Sequence, residues 1–204
     1  MAFYRHVLLP KLCDLAMRNK RFRPYRERVI GAAEGRVLEI GVGSGLNLKL
    51  YKPAAREIIA LEPDPALLRM TAAKAGEAAR PVRCLEASAE QIPLEDRSTD
   101  TVVTTWTLCS IPDGMRALQD MRRVLKPGGK LLFVEHGLAP EQSVRKWQNR
   151  LTPLWSRFSG GCHLNRPITD MIEQAGFGIE QVERGYMPGP RILTFISEGS
   201  ARPR

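Results

Sequence analysis

The chain has 204 residues, of which 43% are hydrophobic and 26% are charged. This length and composition fit one globular domain over residues 1–204 and exclude two full domains joined by a linker. No segment approaches the roughly eighteen apolar residues that span a bilayer, and residues 1–28 lack the pattern of a secretory signal. We therefore expect a cytoplasmic protein.

Basic side chains are concentrated at the start of the chain. The net charge is +9, and residues 1–36 carry nine basic side chains against three acidic ones. Such a segment can contact an anionic membrane surface or nucleic acid. A charge run is more often the solvated face of a helix, so we expect that role and keep peripheral membrane contact as the alternative.

The four cysteines are far apart in the sequence. Cys13, Cys84, Cys109 and Cys162 form no C-x-x-C pair. This spacing predicts no metal site and favours reduced, mostly buried thiols.

Residues 3–33 show apolar positions at three- and four-residue spacing and are predicted to be helical, with an interruption near Pro24. We treat residues 1–33 as an N-terminal helical lead-in. Short β-type runs then alternate with helical patterns. The predicted strands are Arg36–Ile40, Glu57–Leu61, Val82–Leu85, Thr101–Thr105 and Lys130–Glu135, and the helices between them are Leu46–Tyr51, Pro65–Ala79 and Asp113–Leu125, the last closed by a turn at Pro127–Gly129.

The last third of the chain has a different pattern. Helices are predicted over Glu141–Phe158 and Pro167–Ala175, followed by strands over Gly178–Tyr186 and Arg191–Ser197. Only four residues join these two strands, so they must run antiparallel. The predicted fold is a doubly wound, Rossmann-like α/β structure with seven strands, mostly parallel with an antiparallel C-terminal hairpin strand and with helices on both faces.

The strongest motif is a glycine-rich turn after the first strand. Val37 to Gly45 reads V-L-E-I-G-V-G-S-G, with glycines at 41, 43 and 45 and an acid at Glu39. The third glycine is one residue closer than in the dinucleotide fingerprint, and a carboxylate disfavours a pyrophosphate while it suits a cationic ligand. This argues against a nicotinamide cofactor. The predicted cofactor-binding half covers residues 36–135, and residues 136–204 form the acceptor side.

Two further elements follow the second and third strands. Glu62 ends the second strand, where an acid can accept both hydroxyls of a ribose, and Asp64 is predicted to cap the next helix. Leu85 to Pro93 forms a polar loop that suits an adenine edge.

These motifs resemble those of class I S-adenosylmethionine-dependent methyltransferases, particularly the small-molecule branch. The resemblance covers residues 36–135 and includes E-x-G-x-G-x-G, Leu61-Glu-Pro-Asp, Ala89-Glu-Gln-Ile-Pro, Ser98-Thr-Asp-Thr-Val-Val and Arg123-Val-Leu-Lys-Pro-Gly-Gly. It implies S-adenosylmethionine as cofactor and S-adenosylhomocysteine as product. The implied cofactor contacts are Glu39, Gly41, Gly43 and Gly45 for the methionine part, Glu62 and Pro63 for the ribose, Ser88 and Ala89 for the adenine, and Thr105. Ser88 stands where the family often has Asp, so the acidic contact to adenine is missing.

A second set of motifs resembles the membrane-attached thiol methyltransferases of animals. They are Leu108-Cys-Ser-Ile, Val134-Glu-His, Leu151-Thr-Pro-Leu-Trp and Gly161-Cys-His-Leu-Asn-Arg. The hydrophobic anchor of that group is missing ahead of the domain here, so membrane residence does not carry over. The resemblance implies methyl transfer to a small molecule, with a thiol as the first acceptor to consider.

Direct in-line displacement needs few catalytic groups, because sulfonium is already a good leaving group. His136, at the end of the fifth strand, is the predicted base that removes a proton from the acceptor. His163 is a second candidate. The predicted acceptor pocket contains Trp106, Cys109, Trp147, Trp155, Phe158 and His163.

Two other functional classes stay open at this point. A phospholipid or nucleic-acid methyltransferase would use the basic N-terminal helix, although no recognition module and no Asn/Asp-Pro-Pro-aromatic signature favours nucleic acid. A nicotinamide oxidoreductase or a silent nucleotide-binding domain is the other class, and the glycine spacing and Glu39 argue against the oxidoreductase.

Overall fold

A seven-stranded sheet forms the centre of the computed structural model, which describes residues 8–204. The strands are β1 (Gly35–Ile40), β2 (Ala55–Leu61), β3 (Val82–Leu85), β4 (Thr99–Thr105), β5 (Leu125–His136), β6 (Phe177–Tyr186) and β7 (Phe195–Pro203). Their order is β3-β2-β1-β4-β5-β7-β6. Strands β1 to β5 are parallel, and β7 runs antiparallel to both of its neighbours. This confirms the predicted fold class.

Helices cover both faces of the sheet. They are α1 (Leu9–Met17), α2 (Arg23–Gly31), α3 (Pro65–Lys74), α4 (Gly114–Val124), α5 (Gln142–Phe158), α6 (Ile168–Gln174) and α7 (Arg191–Thr194). Leu38 of β1 packs in one core with Leu118 of α4 and Ile172 of α6. Val37, on the opposite side of β1, packs in a second core with Ile30 of α2. Alternate side chains of one strand therefore supply two cores, as expected for a sheet covered on both faces.

Four predicted boundaries were wrong. The helix predicted over Pro65–Ala79 ends at Lys74 and is followed by a 3₁₀ turn over Ala75–Glu77. Residues 46–51 form turns and a single 3₁₀ turn, Leu48–Leu50, rather than a helix, because Tyr51 has an extended backbone and, together with Asn47, donates a hydrogen bond to buried Glu39. Residues 191–194 form the short helix α7, opened by Pro190, so the last strand begins at Phe195. Pro127–Gly129 lies inside β5, next to a register shift against β4, instead of separating the helix from the strand.

The N-terminal lead-in forms two helices joined by a 3₁₀ turn. The interruption lies at Asn19, whose side chain accepts a hydrogen bond from the backbone N–H of Arg21, and Pro24 lies in the first turn of α2. Predicted helical residues 3–7 lie outside the described residues. Within residues 8–204 no helix combines the length and the apolar character needed to cross a bilayer.

Many basic side chains of the lead-in are paired inside the protein. Arg28 donates two hydrogen bonds to Glu198 in β7, at 2.8 and 2.6 Å. Arg23 pairs with Glu27, and Arg26 is buried over the ring of Trp106. Arg28 and Arg23 therefore have carboxylate partners within the chain, and Arg26 is buried, so these three side chains are not free to contact an anionic partner.

A buried aspartate fastens α1 to the glycine-rich turn. Asp14 accepts hydrogen bonds from Ser44 Oγ and, at 2.8 Å, from Arg18 Nε, and Lys74 Nζ lies 3.8 Å from it. Lys74 also donates to the carbonyl of Ser44 at 2.6 Å. Burial alone would raise the pKa of Asp14, but these hydrogen bonds and the charges of Lys74 and Arg18 lower it overall.

We expect Asp14→Ala to loosen α1 while the sheet stays folded. The lost charge-assisted hydrogen bonds correspond to roughly 1–3 kcal/mol of local opening free energy. Hydrogen exchange of the α1 backbone amides should accelerate accordingly. Because the pKa of Asp14 is lowered by folding, the same stabilisation should be present above the ordinary aspartate pKa and be lost as the pH falls through the folded value.

Glu27→Ala is the matched control, because Glu27 pairs with Arg23 on an exposed face of α2. Its effect should stay below about 1 kcal/mol. Equal protection of α1 in wild type and Asp14→Ala would contradict this role of Asp14.

Candidate active site

A cavity of about 700 Å³ opens at the carboxyl ends of the parallel strands, where the strand order reverses between β1 and β4. The ends of β1, β2, β4 and β5 and the loop after β3 contribute to it, and α1, the end of α5 and the segment before β7 complete the walls. Ten predicted residues line it, together with Phe158: Gly41, Gly43, Glu62, Pro63, Ser88, Ala89, Thr105, Trp106, Cys109 and Trp155. The predicted base, His136, lines it as well.

The glycine-rich turn brings backbone to the cavity surface. Gly41 and Gly43 have φ of 63° and 60°, in the left-handed region that favours glycine. A Cβ at Gly41 would lie 2.2 Å from the Thr107 side chain, whereas a Cβ at Gly43 would meet only one backbone oxygen, at 3.9 Å. The turn at Gly43 therefore presents bare backbone with open space beside it, which suits close approach of a ligand.

Gly45 does not line the cavity. A Cβ there would lie 3.2 Å from Thr71 of α3, so this glycine permits close packing of the turn against that helix. Thr71 in turn donates to the carbonyl of Gly43 at 2.7 Å. Gly45 thus shapes the turn from behind, by packing against α3.

Glu39 lies beneath the cavity floor and not on its surface. Its side chain is completely buried and accepts hydrogen bonds from Asn47 Nδ2 at 2.6 Å and from the Tyr51 hydroxyl at 2.8 Å. Burial raises the pKa of Glu39 to about 7, against the lowering effect of these two hydrogen bonds. Glu39 therefore does not line the cavity, and the hydrogen bond from Asn47 connects it to a residue that does.

Asn47 is a site residue that the sequence reasoning missed. Its NH₂ group donates to Glu39 and to Thr105 Oγ1, at 2.6 and 3.1 Å, which turns the amide oxygen away from them. That oxygen, Oδ1, is buried without a hydrogen-bond partner, and Asn47 lines the cavity. A buried acceptor without a donor suits a cationic group of a ligand. The sequence did contain a signal for this residue, because Asn47 is a polar residue two positions after Gly45, the last glycine of the turn.

Glu62 reaches the cavity from the end of β2. Its two carboxylate oxygens accept one backbone N–H each, from Gly43 at 3.0 Å and from Asp64 at 3.1 Å. Burial raises its pKa, although these hydrogen bonds oppose the shift. The fixed carboxylate keeps lone pairs for the hydroxyls of a ribose. Asp64 caps α3, as predicted, by accepting from the N–H groups of Ala66 and Leu67.

Glu135, at the end of β5, organises the acceptor side. It is completely buried and accepts hydrogen bonds from Thr104 Oγ1 at 2.6 Å, from the N–H of Thr107 at 3.0 Å and from the N–H of Cys109 at 3.4 Å. Burial raises its pKa against the effect of these donors. The carboxylate thereby holds the loop after β4 against β5. The sequence motif around His136 contained Glu135, but its role was not predicted.

Two distant cysteines meet at His136. Cys162 Sγ lies 3.6 Å from Cys109 Sγ and 3.7 Å from His136 Nδ1, and all three residues line the cavity. All four cysteines are free thiols, but only Cys109 is buried, so the expectation of mostly buried thiols was wrong. His136 Nε2 is buried without a hydrogen-bond partner. Sequence spacing gave no hint of this group because its members are at least 26 residues apart.

Aromatic side chains wall the acceptor side. Trp106 has φ of 52° and its ring packs edge-on against Phe22 and Tyr25 of the N-terminal segment, at centroid distances of 4.8 and 6.4 Å. Trp147 does not line the cavity, because α5 turns it outward, where it is 54% exposed. His163 is also outside the cavity lining. The predictions that these two residues line the pocket are corrected accordingly.

Comparisons with known proteins give the family. A methyltransferase domain model matches residues 38–133. A thiol S-methyltransferase from Rattus norvegicus is 36% identical over 158 residues, 76% of this chain and 64% of the relative, so the match spans less than two thirds of that relative. One from Homo sapiens is 34% identical over 200 residues, 92% of this chain and 81% of the relative.

A solved structure supports the same fold. An S-adenosylmethionine-dependent methyltransferase from Methanosarcina mazei superposes with a TM-score of 0.68 at 18% identity, covering 91% of this chain and 97% of that one. The sequence match to the human relative, the domain match and the shared fold agree with one another. The chain belongs to the S-adenosylmethionine-dependent methyltransferases.

Proposed function

We propose that this enzyme methylates the sulfur of a small apolar thiol. The observation that carries the proposal is the arrangement of the cavity: an acceptor for a cation at Asn47 and a carboxylate at Glu62 on one side, and aromatic walls with an unpartnered His136 nitrogen on the other. The name thiol S-methyltransferase, borne by the rat and human relatives, supports the choice of sulfur.

The cofactor side has the donors and acceptors that S-adenosylmethionine requires. The unpartnered oxygen of Asn47 fits its ammonium group, the Glu62 carboxylate fits its ribose hydroxyls, and Ser88 and Ala89 fit its adenine. When bound, this cofactor supplies a methyl group attached to a sulfonium. The sulfur is the leaving group: it keeps the electron pair of the broken S–C bond and needs no acid to assist it. Bare backbone at Gly43 permits the close approach that such binding needs.

The acceptor side excludes water and removes a proton. Trp106, Trp155 and Phe158 give the acceptor apolar walls. A thiol must become a thiolate to attack, and His136 Nε2 is the unpartnered base that can receive its proton. The thiolate electron pair then forms the new S–C bond.

We further propose that residues 36–135 and 136–204 work as the cofactor and acceptor halves of one domain, since both contribute strands to one sheet. Four free thiols fit a reducing compartment, which supports the cytoplasm as its location.

Binding of S-adenosylmethionine should strengthen as the pH rises through about 7. The reason is that Glu39, with its pKa near 7, must be ionised to favour an ammonium group beside Asn47. Below that pH the affinity should fall by up to about tenfold per pH unit. Calorimetric titration between pH 5.5 and 8.5 measures this dependence.

Two variants test the assignment to Glu39. Glu39→Gln should bind more weakly and lose the pH dependence. Tyr51→Phe removes a hydrogen bond that lowers the pKa of Glu39, so the midpoint should move to higher pH. A pH dependence that survives in Glu39→Gln would assign it to another group, and His136→Gln, which should retain it, is the control.

The purified enzyme should convert alkyl and aryl thiols to methyl thioethers with equal formation of S-adenosylhomocysteine. His136→Ala should keep its affinity for the cofactor and lose roughly 10²- to 10⁴-fold in turnover of the thiol. Mass spectrometry of the product and calorimetry with S-adenosylmethionine measure the two effects.

Phenols of matched shape and phosphatidylethanolamine vesicles serve as comparison acceptors. We expect little transfer to either. Transfer to the vesicles with no transfer to any thiol would overturn the proposed function in favour of a phospholipid acceptor.

A further inference from the structure

Three soft or borderline metal ligands converge on the wall of the cavity. Cys109 follows β4, His136 ends β5, and Cys162 lies in the turn after α5. One ligand atom from each lies within 4.8 Å of the others. No other such group of three occurs among His, Cys, Asp and Glu in the part of the chain that the structure describes. Neither the base role of His136 nor the methyltransferase fold explains why two thiols accompany it.

The spacing of these atoms matches the edges of a tetrahedral zinc site. Zinc binds thiolate sulfur at about 2.3 Å and imidazole nitrogen at about 2.0 Å, which places two tetrahedral ligands roughly 3.5–3.8 Å apart. The Cys109–Cys162 sulfurs are 3.6 Å apart, and Cys162 Sγ is 3.7 Å from His136 Nδ1. Two of the three edges therefore match a tetrahedral site, and the third, between Cys109 and His136, is within 4.8 Å, so side-chain adjustment alone can bring all three atoms onto one ion.

The backbone fixes this arrangement. The N–H of His163 donates to the carbonyl of Cys109 at 2.8 Å, which clamps the turn that carries Cys162 onto the loop that carries Cys109. Gly161, with φ of 88°, allows that approach, because a Cβ there would lie 3.1 Å from the carbonyl oxygen of Ser110. Glu135 holds the same loop from the other side through the N–H of Cys109. Coordinating groups held by their surroundings lose little entropy when they bind an ion.

The charges also suit a divalent ion. Two thiolates balance the charge of Zn²⁺, so the ion and its three protein ligands are neutral before an acceptor binds. Glu135 and Arg166 interact electrostatically with both sulfurs and have opposite charges. The Glu135 oxygens are engaged by Thr104, Thr107 and Cys109, which leaves the sulfurs and the imidazole as the ligands.

We propose that Cys109, Cys162 and His136 bind a zinc ion and that the sulfur of the acceptor thiol is its fourth ligand. Three protein ligands leave one tetrahedral position open, as in zinc sites that act on a substrate, and the three residues line the cavity in which the proposed acceptor would lie. The inference of a sulfur ligand rests on the proposed function. The binding of the ion does not.

The step balances without any additional reagent. The acceptor thiol releases its proton to solvent when it becomes a ligand, because coordination to the ion favours the thiolate. A sulfur electron pair then forms the bond to the methyl carbon, while the bond between that carbon and the sulfonium breaks and its electrons stay on the departing sulfur. The products are the methyl thioether, S-adenosylhomocysteine and one proton. His136 would hold the ion through Nδ1. In that state Nε2 carries the ring proton, so the base role given to Nε2 above applies to the site without a metal ion.

Metal content tests the site independently of activity. The full chain, purified without a metal-affinity tag and kept reduced by a phosphine, should contain about one zinc per chain by elemental analysis. After removal of zinc, titration with Co²⁺ should give the intense near-ultraviolet bands of sulfur-to-cobalt charge transfer. Cys162→Ser and Cys109→Ser should each weaken Co²⁺ binding by at least about tenfold.

Cys84→Ser is the matched control, because Cys84 is a half-buried thiol in β3 that does not line the cavity. It should bind Co²⁺ as the wild type does. Calorimetry with S-adenosylmethionine on every variant reports folding, since none of these residues is an assigned cofactor contact. Absence of Co²⁺ and Zn²⁺ uptake by the reduced protein, or a Cys109–Cys162 disulfide under these reducing conditions, would overturn the proposal.

Activity separates this proposal from the proposed function. Two results together support both the zinc site and the proposed function. The Co²⁺ bands shift when an acceptor thiol is added, and Cys162→Ser loses turnover of that thiol. Thiol methylation that persists in Cys162→Ser and in metal-free protein overturns the zinc ligand set and leaves the proposed function intact. Stoichiometric metal binding without methylation of any thiol supports the site and overturns the choice of acceptor.

Discussion

Buried carboxylates at the ends of parallel strands hold the loops that form the cavity. Glu39 on β1, Glu62 after β2 and Glu135 on β5 each accept at least two hydrogen bonds from the loop that follows the same or the neighbouring strand. Burial raises the pKa of all three. A buried carboxylate is costly unless its oxygens are satisfied, so each one strongly favours the single loop conformation that brings its donors into place. The cavity is therefore shaped before any ligand enters.

Much of the fold followed from the sequence because parallel sheets impose regular patterns. The order of strands and helices, the antiparallel last pair and the Asp64 cap all depend on local periodicity and turn chemistry, and the structure agrees with them. The wrong boundaries lie where tertiary contacts replace local preference. In residues 46–51 the hydrogen bonds that Asn47 and Tyr51 donate to Glu39 determine the backbone conformation, and the helical pattern of the sequence does not.

The site was predictable where one short motif supplies it and unpredictable where distant segments meet. Gly41, Gly43 and Glu62 belong to motifs that place them at strand ends, and they line the cavity. The aromatic residues of α5 do not all face the cavity. Trp155 and Phe158 line it, whereas Trp147 is exposed, and the sequence pattern did not distinguish them. Cys162 and Cys109 are 53 residues apart in the sequence and meet because a turn packs against a loop. The spacing of cysteines along the sequence does not predict such a contact.

The two ends of the cavity differ in the kind of atom they offer, and this difference constrains the reaction. Oxygen acceptors surround the glycine-rich turn and favour hydrogen-bond donors and positive charge. Sulfur, imidazole and aromatic carbon dominate the other end, with few hydroxyl groups among them. An oxygen nucleophile would lose most of its hydration there, whereas a polarisable thiolate loses less. A nucleophile that enters this end must be poorly hydrated and yet ionisable near neutral pH. Among common biological acceptors thiols meet both conditions, and this is the physical ground for the proposed choice of sulfur, whichever group takes its proton.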